Sequence, residues 1–337
     1  MAKEVTMKDI AASLGISTVS VSKALSGKDG VSDEMRASIK QKALEMGYRY
    51  SITKSEKEGK KYIIGVLVEE HFIRDQTSNF YFKMYQSIIM KLSQNSYSGI
   101  LEILTADMLG REELPKIITD QKVDGIIALG KINGAYLKKV RQTKLPLVYL
   151  DYYDRDMEVP SVITDNVYGT YMLMNHVIGM GHKKIAYVGD IYATPSILDR
   201  YLGYIRGLIM HNIPIRDDYL ICDRDQNGTY LDLEMPEDMP TAFVCNCDEI
   251  ASILINKLKD LGYCVPEDIS VVGFDNTSLA EFTAPKLTTI QVDVDSMTQT
   301  ACDILIRMIC GEQGIHGRKV ISGHLIIRDS VCNVKQS

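Results

Sequence analysis

The sequence predicts a small all-α head carrying a helix-turn-helix, followed by an α/β body of two doubly wound parallel-sheet lobes. Three observations lead there. Short apolar stripes at helical spacing fill the first 48 residues. From Tyr62 onward, short continuous apolar runs alternate with longer helical stretches. That alternation then restarts near Val167. At 337 residues the chain also exceeds the span of one hydrophobic core, so two or three compact units are expected.

In the head, Thr6 is placed to cap a first helix, with Asp9 three residues later as in a capping box. Met7, Ile10, Ala11 and Leu14 form its apolar stripe, and Gly15 ends it. Ser17 caps a second short helix whose inner face is Val21, Ala24 and Leu25. After a loop from Ser26 to Val31, Ser32 caps a third, with Asp33 and Glu34 at the positive end of its dipole. Met35, Ile39, Ala43 and Met46 are its stripe, and Gly47 its stop. Two short helices joined by a tight glycine turn and braced by a third describe a helix-turn-helix. The outward face of the second carries Thr18, Val19, Ser22 and Lys23. These types suit base edges: hydroxyls that bond either way, an aliphatic group for a thymine methyl, a cation for guanine or phosphate. The same face also fits a small helical docking module.

The body opens on Tyr62–Val68, a continuous apolar run of the kind that forms a strand buried on both faces. A helix is predicted from Phe80 to Leu92, a strand from Gly99 to Leu104, and a short helix from Arg111 to Thr119. Strands Gly125–Leu129 and Leu147–Leu150, separated by another helix, follow. The second series comprises a helix from Val167 to Ile178, strand Ile185–Gly189, and a helix from Ile197 to His211. Strands Tyr219–Cys222 and Ala242–Cys245 come next, then a helix from Asp248 to Leu261 and strand Ile269–Phe274. A last helix, Ser296 to Cys310, precedes closing strands Lys319–Ile321 and Leu325–Ile327. The expected domains are 1–48 for the head, 49–61 for a linker, and 62–337 for the body. Lobe 1 takes about 62–160 and 292–323, and lobe 2 about 161–291 and 324–333.

Composition narrows the class. The apolar fraction of 45% and charged fraction of 24% are ordinary for a soluble globular chain. No apolar run approaches a bilayer span, and the first residues lack a secretory apolar segment, so a cytoplasmic location is expected. Residues 1–60 hold 11 Lys/Arg against 8 Asp/Glu, and the rest 27 against 36. A mildly basic head on an acidic body suits a nucleic-acid-binding head. The seven cysteines are scattered and read as small hydrophobes in a reducing compartment. The close pair Cys245 and Cys247, without a nearby His, reads as a strand end rather than a metal site.

The run Val5-Thr6-Met7-Lys8-Asp9-Ile10-Ala11, then Gly15-Ile16-Ser17-Thr18-Val19-Ser20-Val21-Ser22-Lys23-Ala24-Leu25, Val31-Ser32 and Ala43-Leu44-Glu45-Met46-Gly47-Tyr48 resembles the head of the lactose-repressor (LacI/GalR) family. Landmarks of the body continue the resemblance: Asn79-Phe80-Tyr81, Val123-Asp124-Gly125, Gly181-His182-Lys183-Lys184, Arg200 with Gly203, Val272-Gly273-Phe274-Asp275-Asn276 and Leu287-Thr288-Thr289-Ile290. The resemblance covers essentially the whole chain. It implies a body like the sugar-binding proteins of the periplasm. It also implies a second helix lying in the DNA major groove through Thr18, Val19, Ser22 and Lys23, with Thr6, Ser20 and Ser32 near phosphates. Lys23 stands where the family has an arginine, which removes a bidentate fork for guanine. The linker from Arg49 to Lys61 lacks the family's proline and its apolar minor-groove wedge, and reads as a solvated connector.

Open α/β sheets bind ligands beyond the carboxyl ends of their strands. Asp275 follows the strand ending at Phe274, Asp151 follows Leu150, and Arg200 opens a helix of the second lobe. Two carboxylates and a guanidinium are the set needed to hold vicinal hydroxyls. The resemblance implies that Arg200 and Asp275, with Asp151, contact an effector. The same residues also fit a structural ion pair with Asp275 as a cap. Cys247 occupies the place of a family amide and so loses a ligand hydrogen bond. Stacking, in a chain without Trp, would fall to Phe80, Phe72 or Tyr192. The stretch from Asp223 to Pro240 leaves little room for the family's helix, and Asp223-x-Asp225 and Asp293-x-Asp295 read as solvated loop residues or caps.

The expected function is therefore a DNA-binding transcriptional regulator, a repressor, controlled by a small molecule between the lobes, a sugar first and a purine-type effector second. Its partners would be a pseudo-palindromic operator and a second copy of the chain, as a homodimer or tetramer. The stripe Tyr81, Met84, Tyr85, Ile88 and Ile89 fits a dimer face or a core equally. No G-x-S-x-G, Walker loop or H-E-x-x-H occurs, so no catalytic residue, cofactor, metal or membrane role is expected. A periplasmic-type binding protein without DNA control is the rival class.

Overall fold

The computed structural model describes residues 6–25, 30–46, 61–74, 80–154, 158–225 and 228–334. The linker at 49–60, the helix stop at Gly47 and the landmark Asn79 lie outside the described residues. The chain divides into two compact units, Met1–Lys61 and Tyr62–Ser337.

The first unit holds three helices: α1 (Met7–Leu14), α2 (Thr18–Leu25) and α3 (Asp33–Glu45). The Thr6 amide and hydroxyl both donate to Asp9 Oδ2, at 2.7 and 2.6 Å, closing the predicted capping box. Gly15 ends α1 at φ 65°, a left-handed conformation that glycine adopts without strain. Ile10, Ala11, Val21, Ala24, Leu25, Ile39 and Ala43 meet in one small core. Apolar spacing was sufficient here because each helix has only one stripe to bury.

The second unit begins with β1 (Ile63–Glu69), short α4 (His71–Arg74), α5 (Phe80–Gln94) and β2 (Ser98–Leu104). There follow α6 (Ala106–Gly110), α7 (Lys116–Thr119), β3 (Gly125–Leu129), α8 (Gly134–Gln142), β4 (Leu147–Leu150) and β5 (Ser161–Thr164). Of the helix expected from Arg111 to Thr119 only Lys116–Thr119 is helical, and α6 precedes that span. Arg111 to Leu114 form a turn, and Pro115, lacking an amide proton, serves as N-cap of α7.

The next series is α9 (Asn166–Gly179), β6 (Ile185–Val188), α10 (Pro195–Met210), β7 (Leu220–Ile221), β8 (Ala242–Cys245), α11 (Asp248–Asp260), β9 (Ser270–Val272), α12 (Leu279–Phe282) and β10 (Thr289–Gln291). The chain closes with α13 (Val294–Ile309), β11 (Arg318–Ile321) and β12 (His324–Ile326). Among the described residues no helix lies between β7 and β8, as the prolines and the short span predicted.

One parallel sheet has the order β11-β5-β4-β3-β1-β2, and the other β7-β6-β8-β9. Ser161–Thr164, placed by the sequence reading at the start of lobe 2, pairs with both β4 and β11 and so belongs to the first sheet. Four residues carry too little pattern to reveal a sheet; pairing on both sides does. The antiparallel pair β10–β12 forms its own two-stranded sheet, tied to the end of β9 by isolated bridges at Val272–Thr288 and Asp275–Gln291. Helix α13 packs on β3, β4 and β5, and buried Thr298 meets Ser87 of α5 at 2.7 Å. Met84 and Ile88 are buried in this core, while Tyr81, Tyr85 and Ile89 stay half-buried. In each sheet the first strand of its series has neighbours on both sides, so strand order reverses there and the loops part to open a crevice.

Candidate functional sites: a helix-turn-helix face and an interlobe cleft

On the head, Thr18, Val19, Ser22 and Lys23 are all exposed, opposite the buried Val21, Ala24 and Leu25. Val19 is 62% exposed. A bare aliphatic side chain in the first turn of an eight-residue helix is a cost in water that a thymine methyl would offset. Ser20 is half-buried, and its amide and hydroxyl bond Ser17 Oγ at 3.0 and 2.9 Å, fixing the start of α2. Ser32 accepts from the Met35 amide at 3.4 Å, and Thr6 and Ser32 are both exposed.

In the body, Arg200 lies on the inner face of α10, where burial of Ile197, Tyr204 and Leu208 sets the helix rotation. Its Nε donates to Asn166 Oδ1 at 2.8 Å, Nη1 to the Asn246 carbonyl at 2.5 Å, and Nη2 to Asp275 Oδ1 at 2.9 Å. The guanidinium stacks 3.9 Å from the Phe274 ring centroid. Asp275 adopts φ 106° and Asp151 φ 58°, conformations sparsely populated by residues with a Cβ, as often found at ligand sites. Asp151, from the first lobe, accepts from the Tyr81 hydroxyl at 2.9 Å. Tyr81 in turn packs on Phe72, with centroids 4.5 Å apart. The two lobes therefore bring Tyr81, Asp151, Arg200 and Asp275 to one place.

Burial sets the electrostatics. It raises the Asp275 carboxyl to about 6, with Arg200 opposing and Asp151 adding to the rise. Asp151 is raised by burial against the pull of Arg200 and the Tyr81 bond. Burial works against the Arg200 charge, but Asp275 and Asp151 outweigh it and hold its pKa high. The two carboxylates beside this guanidinium can accept several hydrogen bonds from the donors of a ligand.

Phe80, expected as a stacking group, is only 8% exposed and sits in the lobe core, edge-on to Tyr81. The neighbouring Tyr81 is the ring that reaches the charges, because the first turn of α5 directs successive side chains about 100° apart. Cys247 is half-buried at the N-cap of α11, and burial pushes its thiol up to about 12, with Arg224 opposing. Asp223, read as a solvated residue, has no exposed side-chain surface. It accepts from the Asp190 amide, Arg224 Nε and Nη2, and Asn246 Nδ2 at 2.6–3.0 Å. Sequence reasoning missed Asn166, Asn246 and Phe274, which have no spacing signature, and Asp223, whose acidic neighbours masked its burial.

A cavity of about 610 Å³ also lies between the lobes, lined by Lys131, Tyr149, Tyr152 and Tyr153 from one side and Tyr192 and Leu198 from the other. Lys131 Nζ donates across it to the Ala193 carbonyl. Tyr192, the other stacking candidate, lines this cavity. Among the described residues, no group of three His, Cys, Asp or Glu is placed to hold a metal, and no helix is long and apolar enough to cross a membrane.

Comparison with known proteins agrees with the division into head and body. Residues 6–51 match the model of bacterial regulatory proteins of the lacI family, and residues 174–331 that of a periplasmic binding protein-like domain. The chain is 26% identical over 336 residues to the HTH-type transcriptional repressor PurR of Aliivibrio salmonicida, covering 97% of this chain and 98% of that one. Its fold is similar to that of the transcriptional regulator CelR in complex with cellobiose, with TM-score 0.71 and 22% identity over 97% of this chain and 100% of the other. It is also similar to the lac repressor dimer bound to operator and the anti-inducer ONPF, with TM-score 0.67 and 22% identity over 98% and 100%. A lacI-type head and a periplasmic-binding-type body in one chain, aligned end to end with such repressors, place this protein in the lacI family of bacterial regulatory proteins.

Proposed function

We propose that the chain is a sequence-specific repressor whose grip on a pseudo-palindromic operator is set by a small molecule, a sugar, held between the two lobes. The observation that carries this is the constellation of Tyr81 and Asp151 from one lobe with Arg200 and Asp275 from the other. A ligand seated there contacts both lobes and so favours one angle between them. Base reading falls to Thr18, Val19, Ser22 and Lys23, with Thr6, Ser20 and Ser32 beside the phosphates. A helix-turn-helix of this kind reads half-sites about one helical turn apart, so the working unit is a homodimer. A purine-type effector is the second reading, because Phe72 and Tyr81 offer flat rings at the same place.

The deciding measurement is operator affinity with and without ligand, after selecting an operator from random DNA. Retention should fall steeply with salt, as phosphate contacts require. Affinities that no sugar or purine alters would remove the proposed coupling.

A further inference from the structure

Where β7 ends, the chain runs through Asp223 to Arg224 and folds back, with Arg224 bridged to Tyr230. Asp225 closes the turn: its carbonyl accepts from the Gly228 amide at 3.0 Å, and its Oδ1 from the Thr229 amide at 2.9 Å. Gly228 reaches the first lobe, where a Cβ built on it would stand 3.9 Å from His71 Cδ2. Gly228 thus stands next to His71 of the first lobe.

Strand β7 neighbours β6 alone, yet Arg224 Nη2 reaches Asn246 Oδ1, beyond the end of β8, at 3.2 Å. The guanidinium thus lies across the carboxyl end of β6, the side of an open α/β sheet where ligands bind. Its position is fixed by the bidentate bond to Asp223 and by the Tyr230 ring 5.1 Å away, whose hydroxyl donates to Glu249. Asn246 sits between two guanidiniums: its carbonyl accepts from Arg200 and its side chain from Arg224. All three Arg200 nitrogens are engaged, whereas Arg224 Nη1 makes no hydrogen bond among the described residues. The charge of Asp223 is shared among four donors, two of them neutral, so Arg224 keeps part of its own.

We propose that Arg224 selects the effector by charge, donating from its open Nη1 edge to the carboxylate of a sugar acid. The proposal rests on the reading that the effector binds between the lobes. The cleft is then bipolar. Asp151 and Asp275 accept from ring hydroxyls at one end, and Arg224 donates to an anion at the other, with the small Cys247 beside it. A neutral sugar satisfies the first end only.

The test titrates the full-length protein with matched pairs, D-galacturonate with D-galactose and D-glucuronate with D-glucose, and with D-glucose 6-phosphate as a phosphate arm. At least one acid should bind about tenfold or more tighter than its neutral partner. Arg224→Gln should abolish that margin while leaving the neutral sugar within about twofold, and Arg224→Lys should restore part of it. Because Arg224→Gln leaves Asp223 buried without its cation, an Asp223→Asn, Arg224→Gln double variant guards against misfolding and should show the same loss. Wild-type protein with no margin for either acid, including no binding by either, overturns the proposal. So does equal loss for acid and neutral sugar, or a margin confined to the phosphate. An acid that binds through Arg224 yet leaves operator affinity unchanged sinks the regulatory coupling and spares this inference. If Asp275→Ala leaves binding of both sugars intact, the interlobe site itself is wrong.

Discussion

Arg200 and Asp275 meet at 2.9 Å with side chains only 6% and 10% exposed, joining the inner face of α10 to the loop beyond β9. Both belong to the second lobe, so the pair stays together whatever angle the lobes adopt. Asp151 and Tyr81 enter from the first lobe. In the proposed site the pair would be a pre-organised floor, with the contacts to the first lobe free to respond.

Asp275→Ala should destabilise the body by about 3–5 kcal/mol, because it leaves a buried guanidinium without its counter-charge. Arg200→Met with Asp275→Leu should cost less than the sum of the single changes. Urea unfolding of wild type, Asp275→Ala, the two single changes and the double variant, five proteins in all, measures both. A single-variant loss under about 1 kcal/mol would show that the pair is not holding the lobe.

The pH dependence of stability should carry the signature of Asp248. Burial and the Asp275 charge raise this carboxyl to about 7, against bonds from Thr289 and Thr277. Its folded pKa lies above the unfolded value, so the folded state holds the extra proton between about pH 4 and pH 7. The contribution is present below that window and is lost as pH rises through 7. Asp248→Asn cannot titrate, so its melting temperature relative to wild type should climb from pH 5 to pH 8. A difference that is flat with pH contradicts the assignment.

Helices α9 and α10 approach closely at Gly203, where a Cβ would fall 2.3 Å from the Val167 carbonyl oxygen and 2.8 Å from Thr170 Cβ. Gly203→Ala should cost about 1–3 kcal/mol or more, since backbone must give way. At Gly134, which has nothing within 4 Å, the same change should be neutral or stabilise by about 0.4–1 kcal/mol. Thermal melts of the two variants side by side test the contrast.

On the head, Val19→Ala should leave the melting temperature almost unchanged and weaken operator binding at a thymine step. Leu25→Ala should cost about 2–5 kcal/mol of stability, because Leu25 is in the core. Lys23→Arg should sharpen preference for guanine at one position by about 1–3 kcal/mol. Binding to operator variants and head unfolding, measured separately, distinguish the three effects. Equal loss of DNA affinity across all sequences for Val19→Ala would mean that it does not read a base.

The head was legible from the sequence almost residue by residue. Thr6 with Asp9, Gly15 as stop, and Val21, Ala24 and Leu25 as core are local events, decided within one helical turn or one cap. Most of the body was legible for a similar reason: a strand covered on both faces reads as an unbroken apolar run, as in Ile126–Leu129. The pairing of Asp275 with Arg200 could be anticipated only as one of two readings, ligand contact or ion pair, since 75 residues separate them. The structure makes the ion pair and leaves Asp151 and Tyr81 beside it.

The sequence by itself determined the three-helix head with its exposed Thr18, Val19, Ser22 and Lys23, and the β-α alternation of the body. Those follow from periodicity and capping, which act over a few residues. Tertiary structure alone decided that Ser161–Thr164 joins the first sheet, that Tyr81 rather than Phe80 reaches the cleft, and that Asp223 is buried beneath Arg224. Such outcomes depend on which strand edges pair and which side of a helix turns inward. Those choices minimise buried polar groups across the whole body, and no local stretch of sequence contains them.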